Sequence, residues 1–172
     1  MADFLPAVTI VLKQEGGWCN DAADSGGETN LGLTWTDLNA AIKAGIVSRG
    51  TKIKDLTQSQ ATDIYKELYW DAHLNLNNIN NQSIANKLFS EIVNLGPYPA
   101  VLIIQKAINT NNGNIQEDGK FGPHTLDAIN NVDSDALLTS YKKALCSYYR
   151  SIVIRNPKDE IFLKGWLARA NS

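Results

Sequence analysis

Along most of this chain apolar residues recur at spacings of three and four, the period of helices that bury one face, and the interruptions fall at glycine, proline and asparagine. The first such stretch predicts a helix over Phe4 to Gln14 with Leu5, Val8, Val11 and Leu12 as its apolar stripe. Gly16-Gly17 should end it, which leaves Glu15 at a helix terminus. From Trp18 to Thr34 the period vanishes. Asp, Gly, Asn and Thr dominate there, and Ser25-Gly26-Gly27 offers a tight turn, so an ordered loop or short hairpin is expected. Helices resume over Asp37 to Lys43, closed by Gly45, and over Gln58 to Leu68, where Thr57 and Gln60 have the spacing of a capping box. Ile84, Leu88, Ile92 and Leu95 mark a helix from Ser83 to Leu95, which Gly96-Pro97 stops before another over Ala100 to Asn109. The polar run Asn109 to Gly119 reads as a surface loop, followed by a short helix near Pro123. The longest helix is expected from Asp133 to Ile154, with Leu137, Tyr141, Leu145, Tyr148 and Ile152 on one face. A final helix then packs through Phe162 and Trp166. The fold class predicted is mainly α, with any β structure confined to Trp18 to Thr34.

Composition narrows the picture. With 172 residues, 44% of them apolar, the chain can bury a genuine core. No stretch approaches the roughly 18 apolar residues of a membrane-spanning helix, so membrane insertion is not expected. The apolar start lacks a basic leader, since Asp3 precedes it and Lys13, Gln14 and Glu15 follow. Synthesis in the cytoplasm without a signal peptide is therefore expected, with a holin, a secretion route or lysis delivering the protein to any target outside. Cys19 and Cys146 are read as reduced and unconnected, and neither a metal nor a cofactor is expected. His73 and His124 lack metal-ligand neighbours and are read as structural. A net charge of -2 without a Lys/Arg cluster argues against nucleic acid as a partner. A monomer that recognises its ligand through a shaped groove is expected.

The residues that can do chemistry lie where the period fails. Glu15 stands at the end of an apolar helix beside two glycines and the indole of Trp18, surroundings expected to desolvate a carboxylic acid and hold it protonated. Asp24 follows in a polar, glycine-rich loop that favours the carboxylate, with Thr29, Asn30 and Thr34 nearby. Two carboxyl groups in contrasting environments are what glycosidic hydrolysis uses: one protonates the leaving oxygen, the other supports the cationic centre or positions water. Taken singly, each of these residues also fits an ordinary turn or helix end. Trp35, Tyr69 and Trp70 are candidates for stacking on sugar faces, although aromatics at helical spacing more often form core. Asn94 suits either an N-acetyl contact or a helix end.

The ordered run Glu15-Gly16-Gly17-Trp18 through Asp24-Ser25-Gly26-Gly27-Glu28-Thr29-Asn30-Leu31-Gly32-Leu33-Thr34 closely resembles the opening signature of glycoside hydrolase family 108. The resemblance continues at Tyr65, Tyr69-Trp70-Asp71, Val93-Asn94-Leu95-Gly96-Pro97, Asp118-Gly119-Lys120-Phe121-Gly122-Pro123-His124-Thr125 and Phe162-Leu163-Lys164-Gly165-Trp166-Leu167. It implies a lysozyme-like helical fold with a short loop or β-hairpin lining the catalytic cleft. It further implies a lysozyme-like part over 1–96 and a helical, peptidoglycan-binding part over 97–172, packed as one compact body. The activity implied is that of an N-acetylmuramidase on bacterial peptidoglycan glycan strands, with Glu15 matching the catalytic glutamate. Similarity to phage-type lysozymes adds Asp24 and then Thr29 or Asn30 as partners. The residues themselves offer Asn30, Trp35, Tyr69, Trp70 and Asn94 as candidate substrate contacts. Ala22 stands where the family often has Pro, and Ser90, followed by Glu91, where it often has an acidic residue. A non-catalytic peptidoglycan-binding or secretion-accessory protein is the alternative. A phage endolysin, a secretion-linked enzyme and an antimicrobial toxin all fit the pattern.

Overall fold

Helix α1 spans Phe4–Gln14 as expected, in a computed structural model that describes residues 1–19, 27–71 and 75–172. Its buried face is Ala7, Val8 and Val11, whereas Leu5 is 69% exposed and so does not belong to the stripe assigned to it. The helix is not ended by its glycines. Glu15 itself turns extended (φ -83°, ψ 138°), its N–H donating to the Val11 carbonyl at 2.9 Å, and neither Gly16 nor Gly17 adopts a positive φ.

The aperiodic segment holds a hairpin. Strand β1 (Thr29–Asn30) pairs antiparallel with β2 (Leu33–Thr34), Thr29 opposite Thr34 and Asn30 opposite Leu33, and Cys19 bridges to Thr29. The turn is Leu31-Gly32, with φ of 53° and 78°, two successive left-handed residues as tight two-residue hairpins require. Ser25 and Gly26, where a turn was expected, lie outside the described residues. Because strand side chains alternate, Asn30 and Leu33 point inward while Thr29 and Thr34 take the more open face.

Helix α2 (Trp35–Ala44) begins two residues before the expected start, because Thr34 and Asp37 form a reciprocal capping box. Helix α3 (Gln58–Tyr65) starts with the expected Thr57–Gln60 box, but its last turn widens into a π helix over Lys66–Asp71. After a short turn at Leu76–Asn78 comes α4 (Gln82–Leu95). An aromatic cluster makes the centre of this first unit, Met1–Asn94: Phe4, Trp70 and Phe89 meet edge to face at 5.4–5.9 Å, and Tyr65 joins Phe89 at 6.2 Å. The buried ion pair Lys87–Glu91 lies within α4 at 3.2 Å.

The second unit, Leu95–Ser172, consists of α5 (Pro97–Thr110), α6 (Pro123–Asn131), α7 (Ser134–Arg155) and α8 (Glu160–Asn171). Pro97 sits at the first position of α5, where its missing N–H costs nothing, so this helix starts three residues before Ala100. Helix α7 packs on α5 and α8 through Leu137, Tyr141, Leu145 and Tyr149. Tyr149 is the buried member and Tyr148 only half-buried, because the Trp166 ring of α8 stacks on Tyr149. Trp166 stacks on Tyr149 at 5.5 Å; Phe162 stacks on Trp166 at 5.8 Å and stays exposed. Among the described residues there are eight α-helices and a single two-stranded hairpin, the mainly α, lysozyme-like class expected. None of those helices is long and apolar enough to cross a membrane. Cys19 and Cys146 are free thiols.

Candidate active site

Three pieces of the first unit meet in front of Gly32. A Cβ built on Gly32 would lie 2.6 Å from Glu15 Cγ, 2.9 Å from Glu15 Cδ and 2.6 Å from the Tyr65 hydroxyl. The Glu15 carboxyl arm therefore lies against the hairpin turn, in space that only glycine leaves open. Tyr65, fully buried at the end of α3, donates its hydroxyl to the Leu31 carbonyl at 2.9 Å and so ties the turn to the helical body. Glu15 is half-buried, fixed at its backbone by the end of α1 and along its side chain by the turn.

A second brace stands beside this one. Asp37 accepts the Thr34 N–H at 2.8 Å and the Thr34 hydroxyl at 2.7 Å on one oxygen, and the Tyr69 hydroxyl at 2.5 Å on the other. Burial first, and this hydrogen bond second, push the Tyr69 phenol well above its ordinary pKa, so that it is a proton donor throughout the physiological range. The rings of Tyr65 and Tyr69 lie 5.6 Å apart, one helical turn from each other. Trp18 is half-exposed, and its indole N–H donates to Glu28 at 2.8 Å. Gln14, next to Glu15, accepts from Ser90 of α4 at 3.0 Å.

The remaining sequence candidates separate by burial. Asn30 is 6% exposed, and its amide donates to the carbonyls of Ile53, Lys54 and Leu56 at 2.9–3.4 Å. Its side-chain amide is spent on pinning a short turn to the hairpin. Trp70, 1% exposed within the aromatic cluster, is likewise core and offers no face to a sugar. Thr29 is half-buried on the open side of β1, its backbone paired with Cys19. Trp35 is 56% exposed at the start of α2, directly after the hairpin. Tyr69 is engaged by Asp37, and Asn94 is half-buried at the end of the first unit. Asp24 and His73 lie outside the described residues. Among the described residues no group of three His, Cys, Asp or Glu side chains is placed to hold a metal ion.

Sequence reasoning missed Tyr65 and Gly32 as a pair. The signal for Gly32 is local: a two-residue Leu-Gly turn between alternating residues in Asn30-Leu31-Gly32-Leu33. The link to Tyr65 is purely tertiary.

Comparison with known proteins follows the two units. A family model described as Glycosyl hydrolase 108 matches residues 8–96, and one described as Predicted Peptidoglycan domain matches residues 99–171. The solved structure of Brucella abortus SagA is similar over 98% of this chain and 89% of that one, at 28% identity and a TM-score of 0.77. No curated protein matches the chain.

Proposed function

Because the chain belongs to the glycosyl hydrolase 108 family and is a hydrolase of peptidoglycan, we propose that it is an N-acetylmuramidase with Glu15 as general acid. The bond cut is the β-1,4 link between N-acetylmuramic acid and N-acetylglucosamine, in the bacterial cell wall. A glycosidic oxygen leaves only when it is protonated as the bond breaks, so the reaction needs a carboxylic acid held at fixed position beside the glycan. The observation that carries this reading is the Glu15 arm lying against Gly32, with its backbone fixed by α1 and the turn fixed by Tyr65. Such restraint at both ends is how a proton donor is kept aligned.

Asp24 supplies the second carboxylate in this proposal, supporting the cationic centre or positioning water. Its assignment rests on its nine-residue spacing from Glu15 in a polar loop and on the resemblance to phage-type lysozymes. Thr29, on the open face of β1, is the hydroxyl partner, and Trp35 beside the hairpin is the sugar platform. Tyr69 and Asn94 remain candidates for contacts further along the strand.

The test is digestion of purified sacculi followed by borohydride reduction of the new ends. Release of muramitol termini, lost in Glu15→Gln and reduced on the order of 10²-fold in Asp24→Asn, is the expected result. Glucosaminitol termini would overturn the bond assigned. Retained activity in Glu15→Gln would overturn the acid assigned, and sacculus binding without any release would favour a non-catalytic wall protein.

A further inference from the structure

In the second unit, the polar segment between α5 and α6 is folded around one side chain. Gln105 on α5 is 1% exposed, yet every polar atom of its amide is used. Its Nε2 donates to Asp118 Oδ1 at 2.9 Å and to the Lys120 carbonyl and Thr125 hydroxyl at 3.1 Å, while its Oε1 accepts the Gly119 N–H at 2.8 Å. Asn109 holds the other limb of the loop through both atoms of the Ile115 peptide, at 2.9 and 3.0 Å. Gly119 takes a left-handed φ of 68°, with the ring of Tyr98 where a Cβ would project. The loop's shape thus rests on neutral amides.

Its charges are left facing outward. Oδ1 of Asp118 is occupied by Gln105 and by the Lys120 N–H, but Oδ2 has no hydrogen bond among the described residues. The Lys120 ammonium and the His124 imidazole have none there either, and both residues are exposed. These groups, with Ile115 and Gln116, border a pocket of about 390 Å³. That volume falls within the ~300–1,000 Å³ of small-ligand sites. The Gln105 hydrogen bond first, and the Lys120 N–H second, hold the Asp118 carboxyl below the usual carboxylate range, so it is anionic at neutral pH.

We propose that the Asp118–Lys120–His124 pocket binds the peptide stem of peptidoglycan, giving the second unit a ligand chemically distinct from the glycan. The inference rests on the reading of this chain as a peptidoglycan hydrolase. Within that polymer the glycan repeat is neutral once its lactyl group is amidated, whereas the stem carries free carboxylates and, on its diamino acid, an ammonium. A pocket edged by a carboxylate and an ammonium that form no salt bridge with each other matches the stem, which brings an opposite charge to each, whereas a neutral sugar brings only hydroxyls and amides to hydrogen-bond them. Ile115 supplies an apolar wall against which a small alanyl side chain packs.

The experiment uses the full chain carrying Glu15→Gln, so that binding is read without cleavage. The free tetrapeptide L-Ala-γ-D-Glu-diaminopimelyl-D-Ala and peptide-stripped glycan strands are titrated separately by calorimetry and by amide NMR. Saturable tetrapeptide binding that shifts Gly119, Lys120 and His124 is expected. Added Asp118→Asn or Lys120→Met should weaken it by about 3- to 10-fold each, the scale of a single partly exposed charged contact. Asn retains the Oδ1 acceptor and Lys120 builds the loop only through its backbone, so both variants keep the fold; unchanged melting and unchanged Gly119 chemical shift verify this. Absent tetrapeptide binding, or binding indifferent to both substitutions, overturns the proposal. So does glycan binding that those substitutions weaken, which would make the pocket a sugar site. Failure of the hydrolase reading shows separately, as absent reducing ends in sacculi treated with the Glu15 protein.

Discussion

Replacing Gly32 with alanine separates the position of Glu15 from the stability of the hairpin. Two costs fall on that methyl group. At φ 78° an L-residue sits in left-handed conformation, worth about 1–2 kcal/mol. The new Cβ would also lie 2.6 Å from Glu15 Cγ and 2.6 Å from the Tyr65 hydroxyl, whereas carbon atoms rest about 3.5–4.0 Å apart. The Glu15 arm must therefore retreat by about 1 Å, a displacement that costs a positioned catalytic group on the order of 10²-fold in rate. Gly45, at the end of α2, is the natural control: its φ is also 78°, and a Cβ there meets nothing within 4 Å. Gly45→Ala should show the strain alone. The assay is reducing-end release from sacculi, paired with urea unfolding of each variant. Both substitutions are expected to lower stability, Gly32→Ala by more because its methyl also meets Glu15 and the Tyr65 hydroxyl, while only Gly32→Ala loses activity. Wild-type rates in a folded Gly32→Ala protein would refute the argument that the turn holds Glu15 in its working position.

Other residues give sharper stability signals than activity signals. Asn30→Ala removes a buried amide shared by three carbonyls and should cost about 1–3 kcal/mol in denaturant melts; a variant with full stability but no activity would restore Asn30 to the site. Trp70→Ala should cost about 3–5 kcal/mol or prevent folding, and a stable variant with selectively weakened glycan binding would argue that the indole is reachable after all. The raised Tyr69 phenol means that its folded form favours the proton. Its contribution to stability is complete below about pH 10, the ordinary tyrosine range, and is lost as pH rises above it toward the elevated folded value. Wild type should therefore lose stability more steeply than Tyr69→Phe above about pH 10, and identical slopes in alkaline urea titrations would show that folding does not raise the phenol.

Local chemistry made most helix boundaries legible in the sequence. Thr57 with Gln60, Asp133 before α7 and Gly45 after α2 act through their own neighbours, and each does so in the structure. The end of α1 was less legible, because glycine permits a left-handed cap without requiring one, and Glu15 leaves the helix before Gly16 is reached. Burial was the harder quantity. Leu5 and Trp70 are both apolar at helical spacing, and only packing against Phe4 and Phe89 tells which of them is inside. Asn30 and Thr29 were equivalent as neighbouring polar residues; strand alternation sends one to the core and the other to the open face. Glu15 was identifiable from its motif, but the turn and hydroxyl that confine it come from positions seventeen and fifty residues further on.

The loop built around Gln105 separates scaffold from reader. Around Gln105 its hydrogen bonds run between a neutral amide, backbone groups and a hydroxyl, with Asp118 joined through one oxygen only, and on the other limb the Asn109 amide also donates to Glu117. Raising ionic strength screens what the outward charges attract but leaves such a framework closed. A surface of this construction can be rewritten at Lys120 or Gln116, reversing the sign of charge it prefers, without asking the chain to refold.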